Sequence, residues 1–187
     1  MLTSLTEEDR DLILPWRNAP EVRRAMYSQH EITEEEHRAW FMGVSADPAQ
    51  RWLLFKNSAE TALGVVYYTK IDPSSRSAFW GFYAKPRSMK GVGLLISFDA
   101  LNFGFGEMGL EEINCEVLAS NKSCLNMNKT LGFSCEGKLR KRVGRSKKVV
   151  DSLSFRITAT QWAARRENLG DRLSQSVAFQ ALASFGG

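Results

Sequence analysis

The chain has 187 residues, of which 43% are hydrophobic and 11% aromatic, a composition typical of a globular protein rather than a disordered one. Its three cysteines (Cys115, Cys124 and Cys135) are well separated and odd in number, and it contains only two histidines. Such a set provides neither a disulfide framework nor the ligand spacing of a metal site. We therefore expect one domain with a tail, and no bound metal.

The first residues, MLTSLTEEDR, are acidic and lack the apolar region of a signal peptide. No segment reaches the roughly 18 apolar residues that a membrane-spanning helix needs. These features predict a soluble, cytoplasmic protein without a membrane partner.

The net charge of +4 depends on one segment, because residues 138–148, KLRKRVGRSKK, contain seven Lys or Arg and no acid. Such a run is compatible with binding to nucleic acid, binding to an anionic small molecule, or a solvated hairpin. It has no interleaved aromatic residues and matches no nucleic-acid-binding motif, so we expect no nucleic-acid partner.

The first half of the chain predicts helices followed by a β-meander. Residues 5–28 indicate two short helices broken by Pro15 and Pro20. A longer helix follows, which Thr33 and Glu36 begin as a capping box. From residue 51 the segments RWLLFKN, TALGVVYYTKI and SAFWGFYA are β-rich and separated by turn residues.

The second half predicts alternating helices and strands. The segment GVG at residues 91–93 precedes a helix, the strand EINCEVLA follows, and a second helix begins after Asn121 and ends at Gly132. A hairpin of two strands comes next. The order predicts an α+β fold, a three-layer sandwich with a mixed, mostly antiparallel sheet of about seven strands and helices on both faces. We expect a domain over residues 1–158 and a partly helical or disordered tail over residues 159–187.

The two glycines before the first helix of the second half allow two interpretations. Gly91 and Gly93 could form only a tight turn, or they could let backbone N–H groups approach a phosphate at the helix N-terminus. The preceding meander excludes a dinucleotide-binding βαβ unit, and the absence of a Gly-Lys-Ser/Thr sequence excludes a P-loop.

The segments SMKGVG, CEVLASN and KTLGF, taken with the meander, resemble the GCN5-related N-acetyltransferases over about residues 1–158. The resemblance implies that acetyl-CoA is the co-substrate and that the glycine loop holds its pyrophosphate. The family signature begins with Gln or Arg, where this chain has Ser88, with Arg87 one place earlier. The implied cofactor-binding residues are Phe82, Tyr83, Ala84, Lys90, Gly91, Val92, Gly93, Leu94, Asn121 and Asn128.

Further segments resemble the acetyltransferases of pseudaminic acid biosynthesis, which act on the 4-amino group of UDP-4-amino-4,6-dideoxy-N-acetyl-β-L-altrosamine. These segments are WRNAPEVRRAMYS, EEEHRAW, YYTKID, FWGFYAKP, CEV, FSCEGKLR and VVDSLSF. The resemblance implies a UDP-amino-sugar substrate and a role in modifying flagellin or a surface glycan. The substrate-binding residues it implies are Arg17, Met26, Tyr27, His37, Trp40, Thr69, Lys70, Phe79 and Glu116.

Acetyl transfer from a thioester to an amine requires an uncharged amine, stabilisation of an oxyanion and a proton for the leaving thiolate. The family often places a Tyr as the acid where this chain has Asn128, so Tyr83 or Tyr27 could substitute for it, or water could protonate the thiolate. The resemblance makes Glu116 a candidate for amine binding and proton relay. The candidate catalytic residues are thus Glu116, Tyr83 and Asn128.

Two other functions remain open on the sequence. One is acetylation of a peptide or ribosomal-protein α-amine, and the other is acyl-CoA binding without catalysis, which the substitutions at Ser88 and Asn128 would permit. A homodimer is compatible with either. The sequence does not fix the sugar configuration.

Overall fold

A computed structural model describes residues 1–143 and 148–176 of the chain. In chain order its elements are β1 (Leu2–Ser4), α1 (Glu7–Asn18), α2 (Pro20–Arg23), α3 (Glu34–Ala46), β2 (Arg51–Lys56), β3 (Ala62–Asp72), β4 (Ser77–Ala84), α4 (Val92–Asn102), a π-helical segment (Phe103–Glu107), β5 (Glu112–Leu118), α5 (Lys122–Leu131), β6 (Ser134–Val143), β7 (Lys148–Thr158) and α6 (Ala159–Ser174). The strands form one seven-stranded sheet in the order β1-β2-β3-β4-β5-β7-β6. This confirms the predicted fold class.

All neighbouring strands are antiparallel except β4 and β5, which are parallel. The register of β4 and β5 covers only Ser77↔Glu112, Ala78↔Ile113 and Phe79↔Asn114. Within the described strands the pairing ends there, and β4 and β5 separate toward their C-terminal ends. The second halves of both strands therefore border a wedge-shaped gap in the sheet.

Alternation along the strands gives each face of the sheet its own hydrophobic core. A large core on one face combines inward residues of the central strands with helices α4, α5 and α6, and includes Tyr68, Trp80 and Ile113. A small core on the other face joins Ile13 and Trp16 of the N-terminal helices to Leu54, Val65 and Tyr83 of the sheet. The gap between β4 and β5 thus lies between two separately packed layers.

The N-terminal region differs from the prediction in two respects. Helix α1 continues through Pro15, so the prediction of a break there was wrong, and the chain bends only at Ala19 before Pro20. Pro15 is exposed, and at such a position solvent can replace the helical N–H that proline lacks. The three-residue strand β1 was not predicted; it pairs with Leu53–Phe55 of β2.

The basic segment forms much of the predicted hairpin. Lys138 and Arg140 of β6 both make ion pairs with Asp151 of β7. Residues 144–147 and the side chains of residues 141–148 lie outside the described part of the chain. In the described part, no helix is both long and apolar enough to cross a bilayer.

The segment after Thr158, for which we expected a partly helical tail, contains the 16-residue helix α6. Its N-terminus has a capping box between Thr158 and Gln161. Trp162 is 2% exposed, belongs to the large core and donates a hydrogen bond from Nε1 to Oδ1 of Asn102 at 3.0 Å. Helix α6 therefore packs as part of the domain, whereas residues 177–187 lie outside the described residues.

We expect Trp162→Ala to lower the free energy of unfolding by about 3–5 kcal/mol, because it removes a large buried ring from the core. Urea unfolding followed by circular dichroism measures this change. Arg166→Ala, at an exposed position of the same helix, is the control and should change the free energy of unfolding little. Equal effects of the two substitutions would contradict the packing of α6.

Candidate active site

The glycine loop (residues 85–94) leads from β4 into the first turn of helix α4. Gly91 is the N-cap of the helix and has φ 99°, in the left-handed region, where a residue with a Cβ is strained. The amides of Val92 and Leu94 donate to carbonyls within the turn, those of Met89 and Gly91. Among the described residues, the amides of Lys90, Gly91 and Gly93 have no hydrogen-bond acceptor.

Unpaired amides at the start of a helix form an anion-binding site, because the helix dipole adds to their positive ends. Three of the five predicted positions of the loop thus offer an amide to a phosphate, and two use theirs internally. Ser88 does not replace the signature Arg, since its hydroxyl donates to the carbonyl of Lys85 at 2.6 Å. Arg87 is exposed and has φ 59°.

The start of α4 faces strand β4 and helix α5. A Cβ on Gly93 would lie 3.4 Å from the ring of Phe82 and 3.9 Å from Sδ of Met127. Phe82 and Ala84 project toward the large core, whereas Tyr83 projects into the small core and is 6% exposed. The glycine loop therefore lies beside the β4 edge of the gap, where we predicted cofactor contacts.

Helix α5 borders the same gap. Asn121 is its N-cap and accepts a hydrogen bond from the amide of Cys124 at 3.2 Å. Asn128, at the position of the usual family Tyr, is 1% exposed and donates from Nδ2 to Sγ of Cys115 at 3.3 Å. The structure thus directs the Asn128 amide into the core, so its predicted catalytic and cofactor contacts have no support from its side-chain position.

A cavity of about 340 Å³ lies on the other face of the sheet. It contains five of the nine predicted substrate residues, the predicted cofactor and catalytic residue Tyr83, and four residues that were not predicted. Its lining consists of Arg17, Met26, Tyr27, Ser28, Ile32, His37, Trp40, Trp52, Tyr67 and Tyr83.

Stacked rings form a continuous wall of this cavity. Trp40 contacts His37 at 4.8 Å and Trp52 at 4.7 Å between ring centroids, and Trp52 stacks on Tyr67 at 4.5 Å. Gly81 makes room for Tyr67, because a Cβ at Gly81 would lie 2.3 Å from the Tyr67 hydroxyl. Trp52 and Tyr67 were missed, although strand alternation would have placed them on the face of Leu54 and Val65.

Arg17 brings a half-buried positive charge to this wall. Its Nη2 donates to the carbonyl of Ser28 at 3.0 Å, but its Nη1 is buried and has no hydrogen-bond partner among the described residues. Burial lowers the pKa of Arg17, although a guanidinium keeps its proton at neutral pH. An unsatisfied buried donor costs about 1–3 kcal/mol, so the site is suited to a ligand that supplies an acceptor oxygen.

Tyr27 lies opposite, on the α2–α3 loop (residues 24–33), and contacts Glu116. Its hydroxyl lies 2.7 Å from Oε2 of Glu116 and 2.8 Å from Oγ of Ser152. Burial raises the pKa of Tyr27 to about 12, so the phenol is protonated at neutral pH. Two predicted residues 89 positions apart are therefore brought together.

The remaining predicted substrate residues lie beyond the cavity. Thr69 is two positions after Tyr67 on the same face of β3 and pairs with Phe79 of β4. Lys70 is exposed, and its Nζ lies 4.5 Å above the Phe79 ring. These three residues are not part of the cavity wall.

A family model described as an acetyltransferase (GNAT) domain matches residues 1–134. The chain belongs to the GNAT acetyltransferase family. Two curated relatives are both named Acetyltransferase PseH and come from Campylobacter jejuni subsp. jejuni. The one from strain 81-176 is 26% identical over 125 residues, which are 67% of this chain and 76% of the relative. The one from strain NCTC 11168 is 26% identical over 123 residues, 66% of this chain and 75% of the relative.

Solved structures show the same fold. Spermidine N-acetyltransferase from Vibrio cholerae, in complex with CoA and spermine, superposes with a TM-score of 0.78 at 20% identity, covering 87% of this chain and 97% of that chain. A chimera of the Vibrio cholerae enzyme with hSSAT gives a TM-score of 0.79, with 88% and 98% covered.

The GNAT chain is an acetyl-CoA-dependent N-acetyltransferase. Acetyl-CoA supplies the activated acetyl group when bound. The unpaired amides of the glycine loop fit its pyrophosphate, and the β4 edge facing the gap can bind its extended arm. In the described residues no group of three or more His, Cys, Asp or Glu side chains could hold a metal ion.

We expect Gly91→Ala to weaken acetyl-CoA binding about tenfold, because the left-handed φ of 99° at which Gly91 begins α4 costs a residue with a Cβ about 1–2 kcal/mol. Isothermal titration calorimetry measures the affinity. Gly109→Ala is the control, since Gly109 also has a positive φ, lies outside the loop, and a Cβ there meets nothing within 4 Å. Unchanged affinity in Gly91→Ala would show that the motif is only a turn.

His37 predicts a pH dependence of stability. It is 4% exposed, and its Nε2 lies 2.9 Å from the carbonyl of Arg10, which can only accept, so Nε2 carries the proton. Burial lowers the pKa of His37 below its ordinary 6.5. As the pH falls below about 6.5, the His37 imidazole binds a proton in the unfolded chain but remains neutral in the folded chain. The free energy of unfolding therefore decreases.

Thermal unfolding between pH 7.5 and 5.5 should show that decrease, and His37→Gln should reduce its slope. His30, the other histidine, is exposed, and His30→Gln is the control that should retain the slope. A slope unchanged by His37→Gln would contradict the burial of a neutral imidazole.

Proposed function

We propose that this GNAT enzyme acetylates the 4-amino group of a UDP-linked 4-amino-4,6-dideoxy sugar, in the pathway that makes pseudaminic acid for flagellin or a surface glycan. The observation that carries the proposal is the half-buried Arg17 guanidinium at an aromatic cavity, whose buried Nη1 has no hydrogen-bond partner in the described part of the chain. The motif resemblance over the whole domain and the two relatives named Acetyltransferase PseH support it.

The charge of the cavity favours an acceptor that carries anionic or carbonyl oxygens. A guanidinium binds phosphate and carbonyl oxygens well. A polyamine is positively charged, so its binding site needs carboxylates to replace the water that solvates its ammonium groups. None of the described residues lining this cavity is acidic. The likeness to the Vibrio cholerae spermidine enzyme is one of fold.

The shape of the cavity favours a sugar over a peptide. Rings and aliphatic side chains such as Met26 enclose it, and apolar walls of this kind suit the 6-methyl group of a deoxy sugar. A peptide α-amine would arrive on an extended chain and need an open groove. Thr69, Lys70 and Phe79, which lie beyond Tyr67 on the same sheet, would contact the nucleotide part.

The amine would meet Glu116 at the gap between β4 and β5. Asn114 is the last β5 residue paired with β4, and Glu116 lies two positions later, so both project to the cavity side of the sheet. A carboxylate there can bind the acceptor amine and take up its proton through water. The cavity and the glycine loop lie on opposite sides of this gap, as transfer between two substrates requires.

Mass spectrometry of reactions with acetyl-CoA and each of three amines tests the proposal: the UDP-4-amino-4,6-dideoxy sugar, spermidine and an N-terminal alanine peptide. We expect acetylation of the sugar alone. Acetylation of only spermidine or only the peptide would replace the proposed substrate class. Acetyl-CoA binding without transfer to any of them would favour a non-catalytic acyl-CoA-binding domain.

In the same assay we expect Arg17→Met to raise the KM for the sugar at least tenfold, because a hydrogen bond to a charged group contributes about 1.5–3 kcal/mol. Acetyl-CoA affinity should not change. Arg24→Met is the matched control, since Arg24 is exposed on the neighbouring helix end. An unchanged KM in Arg17→Met would show that Arg17 does not bind the acceptor sugar.

A further inference from the structure

Ser152 is a polar residue at a fully buried position of β7. It is 0% exposed, and in the sheet it pairs with Leu118 of β5 and Leu139 of β6. Small apolar residues suit such a position, because a buried hydroxyl must find a hydrogen-bond partner. Its partner is the hydroxyl of Tyr27, 125 residues away along the chain and 2.8 Å away in space.

The direction of each hydrogen bond follows from counting protons. The Tyr27 hydroxyl has one proton and, among the described residues, two close oxygens, Oε2 of Glu116 and Oγ of Ser152. An ionised carboxylate can only accept, so the phenol proton lies toward Glu116. The Ser152 hydroxyl must then donate to the Tyr27 oxygen. The order is Ser152 to Tyr27 to Glu116.

This chain of bonds joins three separate parts of the molecule. Ser152 belongs to β7, Glu116 to the second half of β5 at the gap, and Tyr27 to the α2–α3 loop that forms one side of the cavity. Tyr27 has rotational freedom about its ring torsion and C–O bond, and the bond from Ser152 restricts both. A fixed phenol in turn fixes the carboxylate that faces the acceptor.

We propose that Ser152 is a positioning residue for acetyl transfer, which acts through Tyr27 to hold the Glu116 carboxylate toward the acceptor amine. The proposal rests on the proposed role of Glu116 at the amine. Hydrogen bonds in such a buried series polarise one another, so the loss of the terminal donor weakens the Tyr27–Glu116 bond as well.

A double-mutant cycle tests the proposal with the amine that the wild-type enzyme acetylates. We expect Ser152→Ala to lower kcat about 5- to 20-fold, with acetyl-CoA affinity unchanged, and Tyr27→Phe to lower it at least as much. In the Tyr27→Phe background, Ser152→Ala should change kcat less than twofold, because its partner is already absent. Independent, multiplicative effects of the two substitutions would overturn the proposal.

Ser154→Ala is the matched control. Ser154 lies two positions later on the same face of β7, opposite Glu116 in the register, and no side-chain hydrogen bond is found for it among the described residues. Its substitution should leave kcat unchanged. A loss in Ser154→Ala equal to that in Ser152→Ala would show a general effect of hydroxyls on this strand and would overturn the specific assignment.

A spectroscopic measurement separates this proposal from the substrate proposal. The chain has four tyrosines, and labelling their Cζ carbons with ¹³C gives one signal each, with Tyr27 identified by its loss in Tyr27→Phe. We expect Ser152→Ala to shift the Tyr27 signal and leave the others. An unshifted signal would overturn the hydrogen-bond series whichever amine is acetylated, whereas failure to acetylate the sugar would affect only the proposed substrate.

Discussion

The short parallel pairing between β4 and β5 is the constraint on which the rest of the site depends. Three residue pairs hold the strands together before they separate, and backbone groups along a separated edge must be satisfied by something other than a neighbouring strand. On the large-core side, Trp80 stacks between Phe82 and Phe133, with centroids 5.8 Å and 6.0 Å away. This stack packs in the large core beneath the second half of β4.

The gap also explains why the two halves of the site are built so differently. On one side, backbone amides at the start of α4 provide a binding surface that depends on conformation, which is why Gly91 has a positive φ. On the other side, side chains from helices, loop and sheet form an enclosed aromatic wall. Backbone amides do not depend on side-chain identity, so the glycine loop suits a co-substrate common to a whole family. The side chains that line the cavity can differ from one family member to the next.

Local sequence signals predicted most of the fold. The capping box of Thr33, the N-cap Asn121 and the left-handed Gly132 are each set by residues within one turn, and the structure has all three. The predicted break at Pro15 was wrong because Pro15 is exposed, so water can donate to the helical carbonyl that the missing proline N–H leaves without a donor. The role of α6 was not evident because Trp162 finds its partner, Asn102, 60 residues away.

The cavity was predictable only in part, for the same reason. Motif resemblance supplied Arg17, Tyr27, His37 and Trp40, and the structure brings these residues to one cavity. It could not supply Tyr67, whose position depends on the absence of a side chain at Gly81 on the next strand. Nor could motif resemblance supply Ser152. The residues around a serine in a strand do not indicate that it will hydrogen-bond to a tyrosine on a distant loop.

The orientation of Asn128 bears on where proton transfer is most demanding. Its amide faces Cys115, and burial raises the pKa of that thiol to about 12. Burial also raises the pKa of Tyr83, whose ring lies in the small core. An ordinary thiol has a pKa of about 8.5, so proton transfer from either group to the coenzyme A thiolate would be uphill.

A thiolate is itself an acceptable leaving group, so the reaction can do without a strong acid on that side. The amine must still be uncharged to attack, and it loses a proton as the new bond forms. In the proposed arrangement, Tyr27, Glu116 and Ser152 lie beside the acceptor rather than beside the thioester. Under that proposal, the proton transfer that side chains of this chain assist is the removal of the amine proton, which agrees with Asn128 standing at the position of the usual family Tyr.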